Sequence, residues 1–275
     1  PPQPPSPRGE YRRELRAAQD LLAGAAEGDA DGLLAAAEAQ AEAVASRVGE
    51  ESLSLFGLAA GVRGAALDAA LCVLAEAPRV VLELGCGLGC AAVRAARHLR
   101  GGGCVIACEE DALRAALALC LVEWSGLTGT VHVWVGRAEQ LLPRLRREHG
   151  AGSVGALLLN PQGREYQVDL AGVEGLGLWA SESVIVADQL LRPPAPEFMW
   201  LLCNSPLYAP AAVQVLDEWV IVALRADSGA ATAADAADPE AAAAVPLCPW
   251  PWPPPPEAAS QLRHSADEAR RRTAA

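Results

Sequence analysis

Lysine is absent from this chain of 275 residues, so each of its 22 fixed positive charges is an arginine. Against them stand 34 acidic side chains, giving a formal charge of −12. Positive charge is scattered or sits in short clusters such as Arg12-Arg13 and Arg270-Arg271-Arg272. That excludes a groove for a nucleic-acid backbone and disfavours anionic membrane surfaces. Long apolar runs are also missing. Stretches such as Val154 to Leu159 and Val184 to Ala187 fall far short of the ~20 residues that a bilayer crossing needs, so an integral membrane protein is not expected. The eight cysteines lack the dense loop spacing of a secreted disulfide scaffold, which points to a reducing, intracellular compartment, either cytoplasm or organelle. The chain begins with Pro1, and a processed N-terminus is compatible with that expectation.

What is present has three parts. Residues 1–9 form a proline-rich arm. Helical apolar spacing follows from about Glu10 to Ala25 and from Leu33 to Val48, with Gly28-Asp29-Ala30-Asp31-Gly32 as the break, inside a helical lead-in that ends near residue 78. From residue 79 to 225 short, fully apolar runs alternate with helical stretches, the pattern of buried parallel strands joined by crossover helices. Strands are expected at 79–84, 104–108, 131–135, 155–159 and 183–187, with helices at about 89–99, 111–124, 138–148 and 168–178. A short helix around Ala195 to Leu202 precedes two adjacent strand-like runs near 206–214 and 217–224. The fold class is α/β, a doubly wound sheet rather than a barrel. After Arg225 the composition turns to Ala, Asp and Pro, so residues 226–275 are expected to be an extended tail. Trp250 and Trp252 in that tail have nothing local to pack against, and the tail and the N-terminal arm are expected to contact a protein partner.

The first expected strand runs into Glu83-Leu84-Gly85-Cys86-Gly87-Leu88-Gly89, an acidic residue and three alternating glycines between a strand and a helix. Glycine accepts positive φ and removes the Cβ that would block a ligand, so a small molecule can rest on backbone at the helix N-terminus. The third glycine comes one residue too early for the dinucleotide fingerprint G-x-G-x-x-G. The second strand ends at Glu109, where a carboxylate can accept hydrogen bonds from two vicinal ribose hydroxyls. Glu110 and Asp111 read as charges capping the next helix. Glu139, after Gly136 and the third strand, falls where such folds contact adenine, and reads equally as a helix-start carboxylate.

Together these segments resemble the catechol O-methyltransferase family of class I methyltransferases: Val81-Leu-Glu-Leu-Gly85, Ala92-Val-Arg-Ala-Ala96, Gly136 with Leu141-Leu-Pro143, Val186-Ala-Asp188, and Pro193-Pro-Ala-Pro-Glu-Phe198. The likeness covers roughly residues 50–225. It implies a Rossmann-like sandwich with a mostly parallel seven-stranded sheet and N-terminal helices. It also implies S-adenosylmethionine as cofactor, bound by Glu83, Gly85, Gly87, Gly89, Glu109 and Glu139, and transfer of a methyl group to a small-molecule oxygen. The family holds Mg2+ with an aspartate after the fourth strand and an Asp-Asn pair after the fifth; the matching residues here are Asn160, Asp188 and Gln189. One carboxylate with two amides suits a hard cation poorly, so Mg2+ is doubtful. The family's lysine base is matched by Gly163, and the adjacent Arg164 is a poor base. Pro161 and Gln162 replace a histidine and an aromatic wall residue, and Ala91 and Gly87 replace hydroxyl-bearing residues, while Pro193 keeps an apolar wall. Glu218 falls where the family has a glutamate that binds the second catechol hydroxyl, and is the catalytic candidate. The resemblance therefore implies an O-methyltransferase with reduced or altered catechol activity, or an inactive scaffold subunit of a larger complex.

Other patterns have plainer readings. Cys86, Cys90, Cys104 and Cys108 could be drawn as a zinc site, but they read as small core residues. The histidines have no metal spacing, and the G-x-S-x-G elbow of hydrolases is absent.

Overall fold

A computed structural model describes residues 11–45, 56–160, 166–191, 195–215, 218–225 and 256–273. Two helices lead, α1 (Arg12–Gly24) and α2 (Ala30–Ala45), then a 3-10 turn (Gly57–Ala59) and α3 (Gly61–Cys72). The alternating part follows: β1 (Val80–Leu84), α4 (Cys90–Ala96), β2 (Cys104–Glu109), α5 (Ala112–Trp124), β3 (Val131–Val135), α6 (Ala138–His149), β4 (Val154–Leu159), α7 (Tyr166–Gly175) and β5 (Trp179–Ala187). Then come α8 (Ala195–Asn204), the hairpin of β6 (Tyr208–Val215) and β7 (Glu218–Arg225), and a terminal α9 (Pro256–Thr273).

The seven strands form one sheet in the order β3-β2-β1-β4-β5-β7-β6, with β7 antiparallel to both neighbours and the other pairs parallel. Strands β1, β2 and β4 are buried along their whole length, because helices cover both faces. One apolar layer holds Leu21, Leu58, Leu67, Val81 and Val93; the other holds Leu82, Ile106, Leu145, Tyr166 and Phe198. Chain direction across the sheet reverses between β1 and β4, so the crevice at their carboxyl ends is where a ligand binds in such a fold. The thiols divide between these layers, Cys86 and Cys90 on one side of the sheet and Cys104 and Cys108 on the other. They cannot converge on one zinc ion. Burial pushes the Cys90 and Cys108 thiols up to about 12, with the Glu83 carboxylate adding to it, so they stay protonated core residues.

The expected strands and crossover helices form within a few residues of their places. Two elements differ from expectation. Helix α3 was not singled out by apolar spacing, since the face it buries, Arg63, Gly64, Leu67, Ala70 and Leu71, includes an arginine and a glycine. The end of the expected extended tail is instead the helix α9, which starts at Pro256, where a missing amide N–H costs nothing, and continues in Ala, Glu, Gln and Arg, all good helix formers. It buries Ala259 and Ala266, and Arg263 Nε donates to the buried Glu197 carboxylate of α8 at 2.6 Å. Arg263 is itself more than half exposed, so Arg263→Ala is expected to cost about 1 kcal/mol in urea unfolding, well under the loss from a fully buried pair. Trp250, Trp252 and the N-terminal arm lie outside the described residues.

Candidate functional site

The turn between β1 and α4 is built by positive-φ glycines. Gly87 (φ 54°) would face open space with a Cβ, so what it supplies is its backbone conformation. Gly89 (φ 77°) has both demands, since a Cβ there would approach the Ala118 methyl to 3.1 Å. The amides of Gly85 and Cys86 donate to the Cys108 carbonyl at 2.9 and 3.0 Å, which ties the turn to the end of β2.

Two carboxylates flank the turn. Glu83 points from β1 toward the α4 side of the sheet, fully buried, and among the described residues neither of its oxygens has a hydrogen-bond partner. Burial pushes it well above the usual carboxylate range, the nearby Glu109 charge adds to this, and the Ala92 amide offsets a little. An unpartnered buried carboxyl is costly unless something cationic or hydrogen-bonding arrives to use it. Glu109 is partnered by backbone. Its Oε2 accepts from Gly87 N at 2.8 Å and its Oε1 from Asp111 N at 3.0 Å, leaving one lone pair on each oxygen for further donors.

A cavity of about 500 Å3 opens beside Glu109, within the range of small-ligand pockets. It is lined by Tyr11, Asp111, Arg114, Gly136 and Gln140 among others. Tyr11 Oη donates to Asp111 Oδ2 at 2.6 Å and Arg114 pairs with Glu14 at 3.2 Å, so the start of α1 walls the cavity. Asp111 also caps α5, accepting from the Leu113 and Arg114 amides at 2.9 Å. Glu139 does not line the cavity. Its side chain is 63% exposed and lies 3.7 Å from Arg137, and Gln140, one residue on, faces inward instead.

At the same sheet edge, after β4 and β5, stand Asn160, Asp188 and Gln189. Asp188 is buried, and its Oδ1 accepts from Arg63 Nε at 2.9 Å and from Gln189 N at 2.8 Å. Gln189 holds a left-handed backbone (φ 57°), and its amide reaches Asn160 Oδ1 at 3.5 Å. Asn160 packs on the 3-10 turn so closely that a Cβ on Gly57 would lie 2.1 Å from its amide nitrogen. The structure thus gathers the three residues, but as one carboxylate already paired with a guanidinium. No group of three or more His, Cys, Asp or Glu among the described residues could hold a metal ion. The donor set does not fit Mg2+. Glu218 opens β7, and its backbone, paired with Val215, lies at this same edge; its side chain is outside what is described, as are Pro161, Gln162, Gly163 and Pro193.

No protein-family model matches the chain. Catechol O-methyltransferase of Bos taurus is 29% identical over 189 residues, 68% of this chain and 65% of that protein. Catechol O-methyltransferase of Sus scrofa is 32% identical over 124 residues, 45% of this chain and 67% of that protein. The chain belongs to the catechol O-methyltransferase family. It spans about two thirds of the length of these two relatives. Among solved structures, a methyltransferase from Geobacter sulfurreducens superposes with a TM-score of 0.50 at 20% identity, covering 69% of this chain and 88% of that one, which shows the shared α/β fold. This catechol O-methyltransferase relative carries a glycine turn flanked by Glu83 and Glu109, and Asn160, Asp188 and Gln189 at the ends of β4 and β5. Arg63 was missed in the sequence. Nothing in Val62-Arg63-Gly64 marks an arginine destined for a carboxylate 125 residues away. No described helix is long and apolar enough to cross a membrane.

Proposed function

We propose that the protein binds S-adenosylmethionine at the β1 and β2 ends and methylates an oxygen of a small molecule, with acceptor chemistry altered from that of catechol methylation. The observation that carries this reading is the buried Glu83 carboxyl, unpartnered at the mouth of a glycine turn. The bound donor supplies a sulfonium methyl group. Glu83 and the backbone from Gly85 to Gly89 hold its methionine end, where an ammonium satisfies the Glu83 oxygens. Glu109 keeps its two backbone bonds and receives the ribose hydroxyls with its remaining lone pairs. Gln140 takes the adenine-side place that sequence reading gave to Glu139. Glu218 is left as an acceptor-side candidate.

Equilibrium dialysis with radiolabelled S-adenosylmethionine tests this. Saturable binding is expected, weakened at least tenfold by Glu109→Ala, which removes the ribose acceptor and frees the Gly87 amide. Equal binding by the variant would remove Glu109 from the site.

A second reading is favoured by the Arg63–Asp188 pair and by glycine at the base position: a scaffold of methyltransferase fold that binds the donor without turning it over. In this reading the N-terminal arm and the tail with Trp250 and Trp252 contact a protein partner in an intracellular complex. Donor binding with no methyl transfer to any of a panel of phenols and carboxylic acids would favour it.

A further inference from the structure

Arg63 lies on α3 with its side chain 10% exposed, against an Asp188 side chain 1% exposed. One N–H, from Nε, is spent on Asp188. Its terminal amino groups have no partner among the described residues. The side chain is nine-tenths buried while its terminal nitrogens still reach solvent, and a guanidinium presents positively charged donors in a fixed planar fork, so open donors beside a ligand crevice suit an anionic acceptor. Around it stand Asn160 and Gln189, whose amides are polar but uncharged, so among the described side chains Asp188 is the negative charge paired with it.

We infer that Arg63 is a resident cation in place of a metal ion, and that the site it forms with Asp188, Asn160 and Gln189 binds an oxyanion, a carboxylate or phenolate, without any divalent metal. This rests on the proposed methyltransferase reading, in which that oxyanion is the methyl acceptor. The geometry has a clear consequence for metal. A divalent ion at Asp188 would sit beside a buried guanidinium, and like charges in a poorly solvated site repel. Restoring the family's carboxylate by Asn160→Asp alone therefore does not create a metal site; Arg63 must also go.

The test uses two probes on the whole chain. With Mn2+ followed by electron paramagnetic resonance, wild type and Asn160→Asp are expected to bind no ion at this site, whereas Arg63→Met with Asn160→Asp binds one per chain and gains thermal stability from it. With benzoate followed by saturation-transfer NMR in the presence of a chelator, wild type binds, Arg63→Lys retains part of the binding and Arg63→Met loses at least tenfold. Stoichiometric Mn2+ binding by wild type, or no benzoate binding by wild type, overturns the inference. Should the Arg63→Met chain fail to fold, the wild-type Mn2+ and benzoate titrations and Arg63→Lys decide alone. Donor dialysis on the same sample separates the two claims: loss of donor binding counts against the proposed function, whereas Mn2+ uptake with donor bound counts only against the Arg63 site.

Discussion

Glu83→Met is expected to make the unliganded protein more stable while destroying its capacity to bind the donor. Methionine is close to glutamate in length, unbranched and apolar, so it fills the same space against α4 without a polar group to satisfy. The wild-type side chain is fully buried with both oxygens unpartnered, and removing such a group recovers about 1–2 kcal/mol, the lower part of the usual desolvation penalty. The pH dependence has a definite sign. Glu83 is raised well above its ordinary value by burial, then by the Glu109 charge, so the folded state holds its proton while the unfolded chain gives it up. The wild type therefore loses stability as pH rises from the ordinary glutamate pKa toward the raised one. The gap between Glu83→Met and wild type should be smallest in acid and widen toward neutrality in urea unfolding. A variant less stable than wild type at every pH would show that Glu83 has a structural partner. A more stable protein that no longer takes up donor is the pattern of a residue kept for binding.

Arg94→Met carries the largest expected loss. Arg94, on α4, gives Nε and Nη2 to Asp68 Oδ2 at 3.1 and 2.6 Å, and Nη1 to Glu38 and to the Ala59 carbonyl at 2.8 and 2.6 Å. One guanidinium thereby joins α2, α3, α4 and the 3-10 turn, and Gly64 lets it approach, since a Cβ there would meet Nη1 at 2.5 Å. Breaking a fully buried ion pair from one side costs about 3–5 kcal/mol. Asp68 and Glu38 are partly exposed, which lowers the expected cost to about 2–4 kcal/mol. Burial would raise Asp68, but hydrogen bonds from Arg94 and His98 outweigh it and hold it below its ordinary value. Its contribution is thus present above the ordinary aspartate pKa and is lost as pH falls through the lowered one. The cost of Arg94→Met should shrink in acid. Since the 3-10 turn abuts Asn160, benzoate binding should weaken along with stability; a variant with wild-type stability would show that the network contributes nothing.

The glycine turn and the two carboxylates beside it were legible in the sequence because their determinants are local. A strand, an acidic residue, three alternating glycines and a helix follow one another in one segment, and Glu109 ends the next strand. The edge after β4 and β5 was legible only as a set of replacements. That Asn160, Asp188 and Gln189 stand together followed from strand ends, whereas the guanidinium on Asp188 depends on how α3 packs, which periodicity in an alanine-rich helix does not encode. That Gln140 rather than Glu139 lines the cavity is a one-residue rotation about a helix start, finer than an apolar pattern resolves. Helix α9 was missed for another reason. Proline-rich sequence just before it dominated the composition, and the stabilising contact, Arg263 on Glu197, is made with a distant helix.

Calorimetry with S-adenosylhomocysteine, run from mildly acid to neutral pH in two buffers of different ionisation enthalpy, tests the central claim most directly. A buried neutral Glu83 that ionises against the ligand's ammonium predicts saturable binding of one ligand per chain with proton release to the buffer, absent in Glu83→Met. No saturable heat at millimolar ligand, or binding that survives Glu83→Met with no linked proton, would contradict it.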